Sequence, residues 1–475
     1  MFRLDCLAQP RLWPRQGRRR RVHALTRAQR ARVGIASMGT LFSFVLSTSG
    51  TAQARPTPDS SGLDALIAVA MAANPAVRAA RSRADATRAR VGPAGLRPDP
   101  MLMVGLRDFP LSNPGFYDNF TMKMVGIRQT IPYPGKLGVD RRIASRDVDA
   151  SEAAVRVMTL DVVRDVRRAY YEIAFLDRAL DVVTRNRDVL VDLLKVADAR
   201  YGVGQAGQQD VLRARVETGR LGEQAVTLIE QRRAALAALN AALDRPSDTP
   251  LPAASIPTRI ARAAVADSAA GVRFVSATLG ARAADSPLPP LADLQAMAIQ
   301  TSPLLIEHDA GIAAQAARVE RAGKEHLPDF DLAFDYGQRQ GFRDLVTATV
   351  SIPLRLQRRA KQDQLIVAAR ADLAALESDR AARRNTIRAD VARLAADLER
   401  QRAQLALYKT AIIPQGRAAL TSALASYQVG RVEFLAVLEN QATLFNYETE
   451  YFRVLTDFAT TLAELERVVG KEILP

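Results

Sequence analysis

Two hydrophobic periods alternate along this chain, one typical of long helices and one typical of strands. Residues 137–200 contain no proline, and their apolar side chains recur at intervals of three, four and seven positions, which predicts a coiled-coil-like helix. At 1.5 Å per residue this helix would be about 95 Å long, more than a globular domain needs. The positions that carry the pattern are Val162, Val166, Ile173, Leu176, Leu180, Val183, Leu190 and Leu194.

Alternation with a period of two marks two hairpins. The clearer one spans residues 330–352, and the other spans residues 101–131 with a turn-rich connection. A half-buried sheet of a soluble protein gives the same alternation, and so does a sheet with one face in lipid. The apolar set of the second hairpin is Phe330, Leu332, Phe334, Tyr336, Val346, Ala348, Val350 and Ile352.

The same order of elements occurs twice. The stretches 200–204 and 426–430 each contain a tyrosine followed three positions later by Gly204 or Gly430, and each separates two helical runs. A glycine after the last periodic residue is typical of a helix end. Matched landmarks in the two halves are offset by 228, 230, 221 and 226 residues. Offsets this constant indicate a tandem duplication.

These patterns predict a mostly α fold with a small β part. The predicted organisation begins with a signal peptide (1–54) and a linker (55–62), and a connector (245–290) separates two repeats. The first repeat (63–244) contains hairpin 101–131, long helix 137–200 and return helix 207–243. The second repeat (291–470) contains hairpin 330–352, long helix 358–426, broken or bent at Pro414, and return helix 431–469, and a C-terminal tail (471–475) follows it.

The first 54 residues have the pattern of a secretory signal. Ten arginines against one acid precede an apolar stretch at 35–46, and Ala52-Gln53-Ala54 predicts cleavage after Ala54. A retained N-terminal anchor is the alternative. Without this segment the formal net charge falls from +15 to +6, so a basic nucleic-acid-binding protein is poorly supported and no nucleic-acid partner is expected.

Composition leaves little room for catalytic chemistry. The one cysteine, Cys6, lies in the predicted signal, and the chain has three histidines, so no dense Cys/His metal site is expected. No nucleophile–base pair, phosphate loop or paired-carboxylate site stands out. The sequence therefore predicts no enzyme and no cofactor.

The duplicated motifs resemble the TolC-type outer-membrane efflux protein family over residues 62–470. The two tyrosine–glycine turns carry the resemblance, together with the following Asp210-Val211-Leu212 or Phe434-Leu435 and two Ile-Pro strand ends. It implies a long antiparallel α-helical coiled-coil tunnel in the periplasm. It also implies a homotrimer that completes a 12-stranded β-barrel in outer-membrane lipid, with four strands per subunit.

The resemblance implies a passive exit duct in a tripartite efflux pump. Its partners would be a periplasmic adaptor protein and an inner-membrane resistance-nodulation-division pump. The stretch 129–137 is most similar to members serving heavy-metal (Cu/Ag-type) pumps, with drug efflux as the other substrate class. The exit duct of a type I secretion system is the alternative within the fold. A soluble periplasmic coiled-coil scaffold is the alternative of another class.

Matching positions suggest a gate and a docking tip. The resemblance implies Tyr427, Glu439, Asp210 and Arg431 at the constriction. The adaptor would dock at the turns that contain Tyr201, Gly204, Tyr427 and Gly430.

Two departures from the family pattern weaken this gate assignment. Val432 stands where the family has a locking arginine, and Ala436 where it has a second ring acid. Simpler roles stay open: Asp210 as a helix cap, the tyrosines as packing under the turns, and Glu439 as a solvated side chain.

Four methionines in the first hairpin offer a different chemistry. Strand alternation places Met101 and Met103 on the polar face, and alignment of the two hairpins places Met122 and Met124 there as well. Thioether sulfur prefers soft ions such as Cu(I) or Ag(I), so transient soft-metal contacts are one interpretation. The other is that methionine, a flexible side chain, fills space.

Overall fold

The computed structural model describes residues 62–111, 114–116, 118, 120–265 and 288–474. The predicted signal peptide, almost all of the linker and positions 266–287 of the connector lie outside these described residues. Within them, two copies of one helix–hairpin–helix–helix arrangement follow each other along the chain.

The first repeat has six elements. They are α1 (Leu63–Ala73), α2 (Pro75–Ala94), β1 (Met101–Arg107), β2 (Met122–Ile131), α3 (Lys136–Gly202) and α4 (Gln208–Ala242). A short helix, α5 (Thr258–Val265), lies in the connector. The 67 residues of α3 make it about 100 Å long.

The second repeat has the same order with one interruption. Its elements are α6 (Leu291–Thr301), α7 (Pro303–Gly323), a 3₁₀ turn (Lys324–His326), β3 (Phe330–Gln338), β4 (Leu345–Ser351), α8 (Gln362–Leu407), a π-helical turn (Tyr408–Ile412), α9 (Ile413–Gln428) and α10 (Phe434–Val469).

The π-helical turn explains the break in the second long helix. Pro414 is the second residue of α9, has no N–H to donate, and would clash with the carbonyl four residues earlier in a regular helix. The turn just before it widens to the π pattern, which relieves that clash. The single helix predicted over 358–426 is therefore two α-helices, α8 and α9, joined by the turn Tyr408–Ile412. The first of them begins at Gln362.

Equivalent hydrogen bonds tie the helix break of each repeat to the end of its return helix. Asn74 Nδ2 donates to the carbonyl of Ala242 at 2.8 Å, and Thr301 Oγ1 donates to the carbonyl of Val469 at 2.6 Å. Both bonds join residues 168 positions apart. The structure thus repeats a tertiary contact as well as the order of elements, which supports the duplication.

Packing along α3 divides into two hydrophobic clusters. One joins Val166 and Ile173 of α3 to α1, α8 and the C-terminal half of α10. The other runs from Phe175 to the turns at the opposite end, where it includes Tyr427 and Phe434. The three-four spacing of apolar residues along α3 therefore serves contacts with several helices in succession.

The strands form one antiparallel sheet in the order β1-β2-β3-β4. One row of paired residues crosses the whole sheet: Val104 pairs with Val125, Val125 with Tyr336, and Tyr336 with Val346. Strands β1 and β4 are the edges. Their outer N–H and C=O groups have no strand partner within the described chain.

Register gives the sheet one apolar and one polar face, because directly paired residues point to the same side. The apolar face is exposed and contains Leu102, Val104, Leu106, Val125, Ile127, Phe334, Tyr336, Val346 and Val350. The polar face contains Arg107, Arg128, Asp331, Asp335, Thr347 and Thr349. A contiguous exposed apolar surface indicates an interaction with lipid or with another protein.

Among the described residues, no single helix is both long and apolar enough to cross a membrane. The helices α1 and α2, bent by 45° at Asn74, are long and apolar enough only when taken together.

An ion pair with a buried lysine joins the end of the first hairpin to the start of the second. Lys136, the first residue of α3, is fully buried and donates from Nζ to Asp329 Oδ1 at 2.9 Å. The same oxygen accepts the N–H of Tyr133 at 2.8 Å. Desolvation acts to raise the pKa of Asp329, but these two hydrogen bonds and the charge of Lys136 outweigh it and lower the pKa.

We expect Asp329→Asn to destabilise the protein more than Lys136→Met. The first change leaves a fully buried ammonium without its counter-charge, which costs about 3–5 kcal/mol. The second leaves a partly exposed carboxylate that keeps its bond from Tyr133, at about 1–3 kcal/mol. Thermal unfolding of the detergent-purified protein, followed by circular dichroism, compares the two.

The pH dependence follows from the lowered pKa of Asp329. Its ion pair contributes stability above the unfolded pKa of about 3.9 and loses it as pH falls through the lower folded value. Wild type should therefore lose its advantage over Asp329→Asn below about pH 4. An advantage that does not begin to shrink as pH falls below about 4 would contradict this assignment.

Candidate functional site

The two helical turns have the same backbone geometry. Gly204 and Gly430 both adopt φ of +73°, a left-handed conformation that glycine tolerates without strain. In the first turn the N–H of Gly204 donates to Tyr201 and that of Gln205 to Arg200. The second turn repeats both bonds at equivalent positions. This is the Schellman motif, which satisfies the last carbonyls of α3 and α9.

An arginine of the first turn contacts the tyrosine of the second. The guanidinium carbon of Arg200 lies 4.6 Å from the ring centroid of Tyr427, and Nη1 donates to the Tyr427 carbonyl. Nη2 donates to the carbonyl of Gln205 at 3.2 Å. A Cβ on Gly430 would be in ordinary van der Waals contact with Arg200 Nη2, at 3.4 Å, so this position requires glycine for its positive φ and not for space. Arg200 therefore holds the two turns side by side.

The two turn tyrosines have different environments. Tyr427 is 3% exposed and packs with its ring centroid 5.3 Å from that of Phe434, whereas Tyr201 is 48% exposed. Burial raises the pKa of Tyr427; the carboxylate of Asp210 adds to the rise and the guanidinium of Arg200 opposes it. The Tyr427 hydroxyl is buried without a hydrogen-bond partner among the described residues. Tyr427 therefore packs under its turn, whereas the exposed Tyr201 does not.

Asp210 and Arg431 contribute less than Arg200 to the contact between the turns. Asp210 lies in the first turn of α4, where a carboxylate is favoured by the helix dipole. The helix begins after Gly207, and no side chain caps it, so Asp210 is not its N-cap. Arg431 is exposed and joins the turn through its backbone N–H to Ser426. Asp210 is near enough to affect the pKa of Tyr427, while Arg200 makes the direct contact.

Glu439 lies on an exposed polar face of α10. The residues on either side of it along the helix, Val437, Leu438 and Gln441, are buried, and Glu439 itself is exposed in the single chain. The other exposed polar residues on this helix include Thr443, Asn446 and Glu450. Ala436 is only partly exposed.

A buried polar pair connects α3 with α10 farther along the coiled coil. Gln441 Nε2 donates to Asn186 Oδ1, and both side chains are buried. Asn186 in turn donates to the carbonyl of Val182 at 2.8 Å. A buried polar pair of this kind fixes the register of packed helices, because a slip would leave both groups unpaired. The helical pair α9–α10 is therefore held against the pair α3–α4 along the coiled coil as well as at the turns.

The two-repeat fold of this chain also occurs in known proteins. A sequence profile described as outer membrane efflux protein matches residues 66–245 and 294–471, one segment in each repeat. The chain belongs to the outer membrane efflux protein family. The two matched segments cover most of the chain and fall on either side of the connector.

One relative and two solved structures define the similarity of this efflux protein further. The chain is 20% identical to the cobalt-zinc-cadmium resistance protein CzcC of Cupriavidus metallidurans over 414 residues, 86% of this chain and 90% of that protein. The fold matches the outer-membrane channel OprN (TM-score 0.69, 15% identity, 87% of this chain and 91% of that one). It also matches the outer membrane protein VceC of Vibrio cholerae (TM-score 0.68, 16% identity, 86% and 96%).

These matches confirm the TolC-like fold predicted from the sequence. The family and the similar structures are outer-membrane proteins and channels rather than enzymes. Among the described residues of this efflux protein, no group of three or more His, Cys, Asp and Glu side chains is placed to hold a metal ion.

The four methionines in the first hairpin of this efflux protein share one face of the sheet. In the pairing of β1 with β2, Met101 is opposite Arg128 and Met103 is opposite Gly126. Farther along the same two strands, Met124 is opposite Gly105 and Met122 is opposite Arg107. All four are therefore on the polar face, on the side opposite the exposed apolar residues.

Sequence reasoning missed Arg200, although one signal pointed to it. Arg200 stands where the second copy has Ser426, so only the first turn carries a cation immediately before its tyrosine. A comparison of the copies identifies this asymmetry. It does not identify the partner of Arg200, which is Tyr427, 227 positions away.

We expect Arg200→Ala to increase local opening of the second turn. The change removes a charge-assisted hydrogen bond and a cation–π contact, together about 1–3 kcal/mol. Hydrogen–deuterium exchange of the Gly430 and Arg431 amides should therefore accelerate by about 5–100-fold. Arg431→Ala is the matched control, because its side chain is exposed and its backbone bond remains. Equal exchange in both variants would show that Arg200 does not hold the turn.

Proposed function

We propose that three copies of this chain form the outer-membrane exit duct of a tripartite efflux pump. The four strands of each copy contribute to a 12-stranded barrel, and the helices extend the duct into the periplasm. An inner-membrane resistance-nodulation-division pump supplies energy and substrate. A periplasmic adaptor docks at the turns containing Gly204 and Gly430. The chain does no catalysis.

The observation that carries this proposal is an amphipathic sheet with two open edges. Its apolar face is exposed along all four strands, as expected for a surface in contact with lipid. Unpaired backbone groups are not tolerated in lipid, and four strands are too few to close a barrel. Pairing of β1 in one copy with β4 in the next removes every edge, and it places the polar face toward the lumen of the barrel.

The paired turns support a gate at the opposite end of the duct. Arg200 holds the second turn against the first through Tyr427. In this proposal Arg200 is the arginine that locks the gate, a role that the family resemblance assigns to the position of Val432. Glu439 lies nearby on the exposed face of α10 and contributes one acidic ring per trimer. Opening requires the α9–α10 hairpin to separate from α3 and α4, which breaks the Arg200 contact.

Heavy-metal ions are the proposed substrate class. Support comes from the relative named as a cobalt-zinc-cadmium resistance protein, which aligns over 414 residues, and from the stretch 129–137 at the end of the first hairpin. Export of the chain by a signal peptide cleaved after Ala54 completes the proposal, because assembly in the outer membrane requires secretion.

Planar-bilayer recording tests the channel and its gate together. Purified wild-type trimer should give discrete, cation-selective conductance steps. Glu439→Ala removes one negative charge per subunit at the constriction and should lower the cation-to-anion permeability ratio about twofold or more, because like-charge rings attract counter-ions.

The matched control is Glu450→Ala, which removes an exposed acid from the same helix three turns away. Unchanged selectivity in Glu439→Ala would remove Glu439 from the constriction. A protein that is a soluble monomer and never conducts would contradict the channel itself.

A further inference from the structure

Two glycines on the polar face of the sheet make room for neighbouring side chains. A Cβ on Gly126 would lie 1.9 Å from Asp335 Oδ1, and one on Gly337 would lie 2.6 Å from Met122 Sδ. The Asp335 carboxylate therefore lies over the backbone of Gly126, and the Met122 thioether lies over that of Gly337. Any larger residue at these glycines would displace the carboxylate or the thioether.

The register brings two more thioethers to the same place. Met103 pairs with Gly126 on the side opposite Asp335, so Met103 and Asp335 flank one glycine. Met124 is two residues from Gly126 along β2 and pairs with Gly337. Side chains at such diagonal positions are within reach of one another when they are long. Three sulfur atoms and one carboxylate thus surround the two glycines.

The carboxylate is the second, independent sign of a ligand. Asp335 Oδ1 is buried and has no hydrogen-bond partner among the described residues. No ion pair of Asp335 occurs within 4.0 Å in the same part of the chain, although Arg128 shares its face. A buried carboxylate oxygen without a partner is costly, and a bound cation removes that cost.

We propose that Met103, Met122, Met124 and Asp335 form a transient binding site for a soft monovalent cation such as Ag(I) or Cu(I). Thioethers select soft ions, and one carboxylate balances a single positive charge. Arg107 and Arg128 on the same face disfavour a divalent ion. The inference rests on the proposed function, because this face lines a pore only in the proposed barrel. A site of this weak, multi-ligand kind lets an ion enter and leave.

Met101 is not part of the site. It is 53% exposed and pairs with Arg128 at the end of the ladder, whereas Met122 is 8% exposed against Gly337. Met101 therefore provides a control with the same side chain, the same strand and the same face.

Titration calorimetry with silver nitrate on the detergent-purified trimer tests the site. The protein that starts after Ala54 contains no cysteine, so no thiol competes for Ag(I). Wild type should bind Ag(I), and the Met103→Leu/Met124→Leu double variant should bind it at least about tenfold more weakly, because two ligands are lost. Asp335→Asn should also weaken binding, and Met101→Leu should not.

Silver K-edge absorption spectra supply the structural readout. Wild type should show sulfur neighbours around the ion, and the double variant should lose them. Wild type without sulfur neighbours, or a double variant that binds as tightly as wild type, would overturn the site. Wild-type conductance reports separately on the proposed function, so a conducting channel without sulfur-bound silver separates the two failures.

Discussion

In the proposed function the sheet crosses lipid, where no backbone hydrogen-bonding group can stay unpaired, and this constraint governs the rest of the proposed assembly. Here the sheet has four strands, an apolar outer face and two open edges, at β1 and β4. In the proposed trimer the edges pair between copies and the polar face surrounds a lumen. The long helices then continue the same closed wall into the periplasm, because every strand pair leads directly into a helix pair.

The link between sheet and helices depends on a few polar contacts. Lys136 and Asp329 join the exit of the first hairpin to the entry of the second, so the two halves of the sheet are fixed relative to α3. At the far end Arg200 joins the two turns through Tyr427. Between them, the buried Asn186–Gln441 pair fixes the register of α3 and α10. Each contact joins one repeat to the other, so none is internal to a repeat.

Local periodicity made most of the fold predictable. Three-four spacing along α3, alternation in the strands and a glycine at each turn follow from the geometry of single elements, and the duplication follows from their order. Contacts between the repeats could not be predicted from periodicity, because no pattern within one repeat specifies which residue of the other repeat a side chain will contact. Arg200, the Lys136–Asp329 pair and the Asp335 carboxylate over Gly126 belong to this class. The contact to Tyr427 could not be predicted for the same reason, since Arg200 comes from the other turn.

Disulfide cross-linking between the edge strands tests the central claim most directly. Cysteines at Leu102, Val104 or Leu106 of β1 are combined with cysteines at Val346, Ala348 or Val350 of β4, all on the apolar face. Within one chain these strands are about 14 Å apart across the sheet, too far for a disulfide. Oxidation in outer membranes should therefore give covalent dimers and trimers in at least one combination, and nothing larger. Absence of any intermolecular bond, or a ladder that continues beyond three copies, would contradict a closed trimer.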